Sequence, residues 1–328
     1  MKKADRIEYL NRYVKGGGVN FSYAGPNYLY KYRPFDQYTY DMLENNYLFL
    51  CPANKLDDET ECIATIDTNS LIDLNTNNLK RIGLEQIIRM IKPYTSEENY
   101  NQIRNTIYRT SMRDGRIRNS FLLDVMPELQ ELAPNVNLAT FFNVIVNLPD
   151  QLEKPEIKKA FLDSIITILQ REKIGICALS ENSNIEDLWN RYGEHHAGYC
   201  VEYDMSSYAA EEPLLPVIYE YERQTNVILA LVNNYISQLV AVFSNGEIRV
   251  DLTQYLRLLV SKYLKWEQQN EWRIVGLAKG KPNAPKVIKV IIGNAATEEN
   301  KTKMIEFCKS KNIEYIIESE CAKSWFIE

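Results

Sequence analysis

Apolar residues recur at helical spacing through the middle of the chain, in Leu84–Ile91, Glu97–Ser111, Leu138–Val146 and Glu156–Arg171, with polar linkers between them. That spacing predicts helices, because positions three and four apart share one face. Toward both ends the pattern changes to short alternating or wholly apolar runs. Asn27–Arg33, Tyr47–Cys51, Ile174–Leu179, Gly198–Tyr203, Leu214–Tyr221, Glu271–Leu277, Lys286–Ile292 and Ile313–Ile317 read as strands, the first stopped by Pro34. Further helices are predicted over residues 4–14, ended by Gly16-Gly17-Gly18, and over 36–45, 226–243, 252–264 and 299–311. The first strand, short helix and second strand make a compact βαβ-like opening or, equally, a hairpin-like pair. Strands at the two ends with helices between them give an α+β fold. Its mixed or antiparallel β core is built from residues 1–69 and 173–328, with a helical insertion or subdomain over 70–172.

Composition bounds the class. With 45% hydrophobic and 25% charged residues among 328, the chain can build a sizeable core in one large unit or two. The formal net charge of -6, with both signs interspersed, argues against a broad basic face for duplex nucleic acid and leaves a local basic groove open. No run has the length of a membrane span, and the lysines after Met1 are not followed by the apolar stretch of a secretory signal. The six cysteines are scattered without a C-x-x-C pair, so reduced thiols in a cytoplasmic protein are expected rather than disulfides or a zinc site.

Candidate chemistry concentrates in a few segments. The only two histidines, His195 and His196, are adjacent, in a stretch that also holds Trp189, Tyr192 and two glycines. Ser183 and Glu186 have capping-box spacing and are expected to start a helix. On it Trp189, Tyr192 and His196 share one face, while Asp187, Arg191 and His195 share another, with Asp187 and Arg191 placed for an ion pair. If the helix runs through Gly193, His196 points inward and His195 toward solvent. The bland reading has His196 hydrogen-bonded to a backbone carbonyl in the core. Arg33 ends the first strand, where a guanidinium suits a phosphate or carboxylate. A surface arginine stacked on Tyr32 is the alternative. Gln269 and Glu271 face one side of an extended chain, with Trp272 and Arg273 on opposite faces. A strand-end glutamate paired to a lysine is the common outcome for that spacing. Asp57, Asp58, Glu59 and Glu61 form an acidic knot suited to a hard cation or to plain solvation. No glycine-rich phosphate loop follows a strand and no G-x-S-x-G elbow is present.

Tyr30–Arg33, the Asp57–Glu61 turn, Trp189-x-x-Tyr192-x-x-x-His196-x-Gly198 and Gln269-x-Glu271-Trp272-Arg273 together resemble a bacterial family of uncharacterised proteins, domain of unknown function family 2971. The order matches along most of the chain, leaving about 70 to 170 uncovered. Asp57 and Glu59 stand where the family has Asn and Pro, and Gln269 where it has Glu. The resemblance favours His196 over His195 and joins Arg33, Asp58, Glu61, Tyr192, His196 and Glu271 as positions of one site, without supplying a reaction.

Three function classes follow. An arginine ending the first strand and a late Gln-x-Glu resemble the layout of arginine-type ADP-ribosyltransferases, which implies NAD as substrate. Arg33, with Tyr32, would then hold the pyrophosphate or ribose. Glu271 would stabilise the oxocarbenium-like charge, Gln269 would orient the acceptor, and Tyr192 would stack on nicotinamide with Trp189 and His196 in the same wall. The middle Ser-Thr-Ser-like motif of that superfamily is not evident. A defence or toxin-like role follows only by analogy. The second class is a hydrolase or nuclease using a divalent metal held by Asp58, Glu61, His196 and Glu271. The third is a non-catalytic ligand- or partner-binding protein whose aromatic motifs build the core.

Overall fold

A computed structural model describes residues 2–15, 25–65, 95–111, 119–134, 170–208, 212–223 and 253–318, with isolated positions between 84 and 143 and at 234. In chain order the elements are α1 (Lys3–Lys15), β1 (Tyr28–Arg33), α2 (Thr39–Glu44), β2 (Cys51–Pro52), α3 (Glu97–Ser111), α4 (Asn119–Leu132), β3 (Ile174–Ser180), α5 (Glu186–Tyr192) and β4 (Tyr199–Asp204). They continue with β5 (Leu214–Pro216), β6 (Ile218–Glu220), α6 (Thr253–Val260), β7 (Ser261–Tyr263), β8 (Glu271–Leu277), β9 (Lys286–Ile292), α7 (Glu298–Lys311) and β10 (Glu314–Ile317). Residues 1–63, 170–224 and 256–328 make one compact unit, and 64–169 with 225–255 make a second.

The first unit is an α+β body on a mixed eight-stranded sheet. Its order is β10-β9-β4-β1-β3-β8-β5, with β2 also paired to β3. Only β9 and β10 run parallel; the other pairs are antiparallel. Alternation sorts each strand between two faces. Leu29, Cys177, Leu179, Tyr199, Val201, Tyr203, Trp272 and Ile274 go to one face, where Tyr9 and Leu10 of α1 and Met304 and Cys308 of α7 complete the core. Each such large side chain contributes about 1.5–3 kcal/mol by leaving water. On the other face Tyr32, Cys200 and Ile291 pack beneath Leu188 and Trp189 of α5. In the second unit α3 and α4 carry the buried Ile103 and Leu129, and Asn99 Nδ2 donates to the Leu132 carbonyl at 3.1 Å.

Several expected elements take different bounds. β1 and β2 do not pair with each other as the βαβ-like or hairpin-like opening required; both pair with β3. The apolar run before Cys51 bonds instead to a loop, with Leu48 N–H donating to Pro282 and Leu50 N–H to Gly280. The 252–264 helix stops at Val260, because Ser261–Tyr263 pairs in parallel with β6 and Ser261 Oγ donates to Glu220. Leu214–Tyr221 divides around Val217, its first half joining β8 and its second β7. α4, with Pro127 inside it, was hidden by that proline. The helices expected over 84–91, 138–146, 156–171 and 226–243 lie almost wholly outside the described residues.

Candidate functional site

One cavity of about 520 Å³ opens on the α5 side of the sheet. Its floor is a row across three strands, since Tyr30 faces Ser180 on β3 and Ser180 faces Glu271 on β8. Lys55 to Glu61 form one wall, and Leu188, Arg191 and Tyr192 of α5 another. Lys262, Lys265, Trp266 and Gln269 close the third side.

A buried ion network underlies this floor. Arg273 Nε donates to Glu271 Oε1 at 2.6 Å, its Nη2 donates to Glu61, and its Nη1 donates to the Leu259 carbonyl. Lys262 Nζ lies 2.6 Å from Glu271 Oε2, 2.8 Å from Gln269 Oε1 and 3.4 Å from Glu61. Burial pushes the Glu271 carboxyl up, but Arg273 and Lys262 outweigh it and hold the group at about 2, so it is a carboxylate. Gln269 and Glu271 thus converge on one lysine. They do so through a left-handed Asn270 (φ 44°) that ends a 3₁₀ turn, not through an extended chain. Trp272 and Arg273 take opposite faces as alternation requires.

The network continues outward. Gln269 Nε2 donates to Asp187 Oδ2 at 2.8 Å, and Asp187 Oδ1 accepts from Arg191 Nε at 2.7 Å, the ion pair expected from their spacing. Arg191 then lies over the Trp266 ring, 4.7 Å from its centroid, with Lys265 at 5.1 Å. Burial raises the pKa of the Tyr192 hydroxyl, and the neighbouring Asp57 and Glu271 raise it further, so it remains a donor. Asp58 accepts from Thr60 and belongs to a turn.

The histidine segment is placed elsewhere. α5 ends at Tyr192, and Glu194, His195 and His196 take positive φ values of 53°, 53° and 63°. The helix therefore does not run through Gly193. Three left-handed residues bring His196 back over Trp189, ring centroids 5.4 Å and planes 12° apart. The expected capping box is not formed: Ile185 is the N-cap and no side chain bonds there. His196 binds no backbone carbonyl through its ring; Nδ1 sits 2.8 Å from Glu318 and Nε2 3.2 Å from Glu186. Burial lowers its pKa, but the two carboxylates raise it more, so the net shift is upward. His195 is exposed, near Asn190.

Of the residues expected at the site, Tyr32, Asp58, Glu61, Tyr192, Gln269 and Glu271 line the cavity, whereas Arg33, Trp189 and His196 do not. Arg33 pairs with Tyr199 and so shares the face of Leu29, opposite Tyr32. Trp189 is a buried core residue. Among the described residues no three His, Cys, Asp or Glu side chains are grouped to hold a metal ion, so the four proposed metal ligands do not gather. Among the described residues no helix is long and apolar enough to cross a membrane. Cavity residues that the sequence did not single out are Lys31, Lys55, Lys262, Lys265 and Trp266. The last three fall where a helix was expected or at its end, which concealed the turn that gathers them.

No curated protein and no solved structure matches the chain. Residues 188–274 match a family model described as protein of unknown function (DUF2971). That stretch carries the α5 wall, Lys262, the Gln269 turn and the start of β8, while β1 and the Asp57–Glu61 wall precede it. The chain therefore contains a DUF2971 family domain over residues 188–274.

Proposed function

We propose that the protein binds a small anionic molecule in this cavity. The observation that carries the reading is a surplus of hydrogen-bond donors at its mouth. Among the described residues Lys55 and Lys265 have no carboxylate within ion-pair distance, and the buried Trp266 indole N–H has no partner. Arg191 is oriented through Nε by Asp187, and among the described residues its terminal nitrogens bond to nothing. The acids nearby are engaged: Glu61 and Glu271 by Arg273 and Lys262, Asp58 by Thr60, and Asp57 by the Tyr192 hydroxyl. Glu59 stays at the exposed rim. A held guanidinium beside two amines suits a phosphate or carboxylate, and a cavity of this size suits a small ligand.

The test is the unfolding temperature and calorimetric binding of inorganic pyrophosphate, ADP and NAD. Wild type should bind at least one of them, and the Lys55→Ala, Lys265→Ala double variant should bind it at least about tenfold more weakly, a loss of about 1.4 kcal/mol. If none of the three binds, or the double variant binds as wild type does, the reading fails.

A second reading, an ADP-ribosyltransferase-like enzyme using NAD, is favoured by Gln269 and Glu271 facing one cavity. It requires Arg191 or Lys265 to take the phosphates, since Arg33 is on the far face. Consumption of NAD by wild type and its loss in Glu271→Gln, at unchanged NAD affinity, would support it. Wild type that leaves NAD intact with protein and nucleic-acid acceptors ends it.

A further inference from the structure

We propose that Lys31 is a carbonyl-capturing lysine, forming an imine with an aldehyde or ketone on the molecule held in the cavity. The proposal rests on the cavity being a ligand site, and its geometry begins in the sheet. β1 follows β4 over all six of its residues but meets β3 at the single pair Tyr30–Ser180. Further along that edge β3 pairs with β2, at Cys51–Ile176 and Pro52–Gly175. Between these two contacts no strand among the described residues pairs with that edge of Cys177, Ala178 and Leu179. By register Lys31 leaves β1 on the face of Leu29 and Arg33, but at this gap it reaches and lines the cavity, its amine donating to the Ala178 carbonyl at 2.7 Å.

Two lysines of one cavity are thereby set apart. Lys262 has two carboxylates and an amide oxygen around its amine. Lys31 has one neutral carbonyl and, among the described residues, no carboxylate within ion-pair distance. The charged groups and thiols facing it are Cys177 on β3, Arg33 on β1, Glu271 on β8 and Cys51 on β2. Burial lowers its pKa, and Arg33 reinforces that against the opposite pull of Cys177, Glu271 and Cys51. Burial without a paired carboxylate shifts the balance toward the neutral amine, the nucleophilic form. Its lone pair bonds to the carbonyl carbon, the carbonyl oxygen takes up the protons the amine loses, and water leaves as the C=N bond forms. No oxidant or reductant is needed.

The experiment exposes wild type near neutral pH to either propanal or pyridoxal 5′-phosphate, reduces any imine with borohydride, and maps the labelled lysines by peptide mass. Propanal should label Lys31 at least about tenfold faster than the exposed Lys55 and Lys265, and Lys31→Arg should lose that label while keeping its unfolding temperature. Labelling of Lys31 no faster than of those two lysines overturns the proposal. The ranking is read on wild type, so it decides even if Lys31→Arg does not fold. Preferential propanal labelling without pyrophosphate binding upholds Lys31 and overturns the anionic reading. Pyrophosphate binding without a Lys31 preference does the reverse.

Discussion

Two charged clusters flank α5, and they are built to opposite rules. In the cavity floor Glu61, Lys262, Glu271 and Arg273 are each at most 8% exposed, and every charge has an opposite partner. At the histidine turn His196 meets Glu318 and Glu186, and the Glu186 side chain is 75% exposed. Charges at depth must be matched, because an unpaired one carries its full desolvation cost. Charges at an edge are screened by solvent and contribute little. The floor therefore reports where the fold is committed, and the turn where it is adjustable. Lys31, unmatched inside the cavity, and Lys55 and Lys265, unmatched at its exposed mouth, are the groups assigned to a ligand.

The largest effect should come from breaking the floor. Arg273→Met leaves Glu61 and Glu271 sharing Lys262 alone and should cost roughly 3–5 kcal/mol in denaturant unfolding. His196→Gln should cost about 1 kcal/mol or less. Equal costs would erase the distinction between the clusters.

The turn has its own committed element, its backbone. A Cβ on Gly293 would lie 2.1 Å from the His196 carbonyl oxygen, and that oxygen accepts from Ala295 N–H. Backbone cannot move aside as a side chain does. Gly293→Ala should cost roughly 1–3 kcal/mol and disturb the stacking of His196 on Trp189, read by near-ultraviolet circular dichroism. Gly276→Ala, whose Cβ would meet only the carboxyl end of Glu212, should cost under about 1 kcal/mol. A reversed ranking would mean that the turn yields more readily than the side chain.

Much of the sheet was legible because its central strands are short runs buried along consecutive positions, bounded by polar or turn residues. The bounds of Glu271–Leu277 and Lys286–Ile292 agree with the pattern residue for residue. Ser261–Tyr263 was not legible, since three residues following a helical run acquire strand character only from β6, some forty positions earlier. The candidate site divides in the same way. Gln269 and Glu271 were readable as a local pair. Arg33 and His196 were readable as chemistry but not as places: strand register puts Arg33 on the far face, and three left-handed residues turn His196 away from the helical phase assumed for it. Lys31 was invisible because its meaning lies in a missing strand contact, which no local pattern encodes.

His195 offers a smaller, stabilising change. Its φ of 53° costs an L-residue about 1–2 kcal/mol relative to right-handed backbone, whereas glycine is indifferent. Among the described residues its side chain bonds only to Asn190, at 3.3 Å. After the added chain entropy of glycine, His195→Gly should raise stability by about 0.5–1 kcal/mol. A loss instead would show that the His195 side chain holds the turn.

The smallest effect is the one that pH can isolate. An unfolded imidazole titrates near 6.5, and Glu318 and Glu186 raise the folded value of His196 above that against the lowering effect of burial. A group whose folded pKa is raised stabilises fully below the unfolded value and loses that contribution as pH rises through the folded one. The stability difference between wild type and His196→Gln should therefore be largest at about pH 6 and shrink toward about pH 9. Added salt should reduce it at the lower pH, because Glu186 is exposed to screening. The floor network should show no such slope over that range, since Glu271 is held at about 2. A difference that grows with pH would mean that His196 is held neutral, and the turn would then obey the same rule of buried matching as the floor.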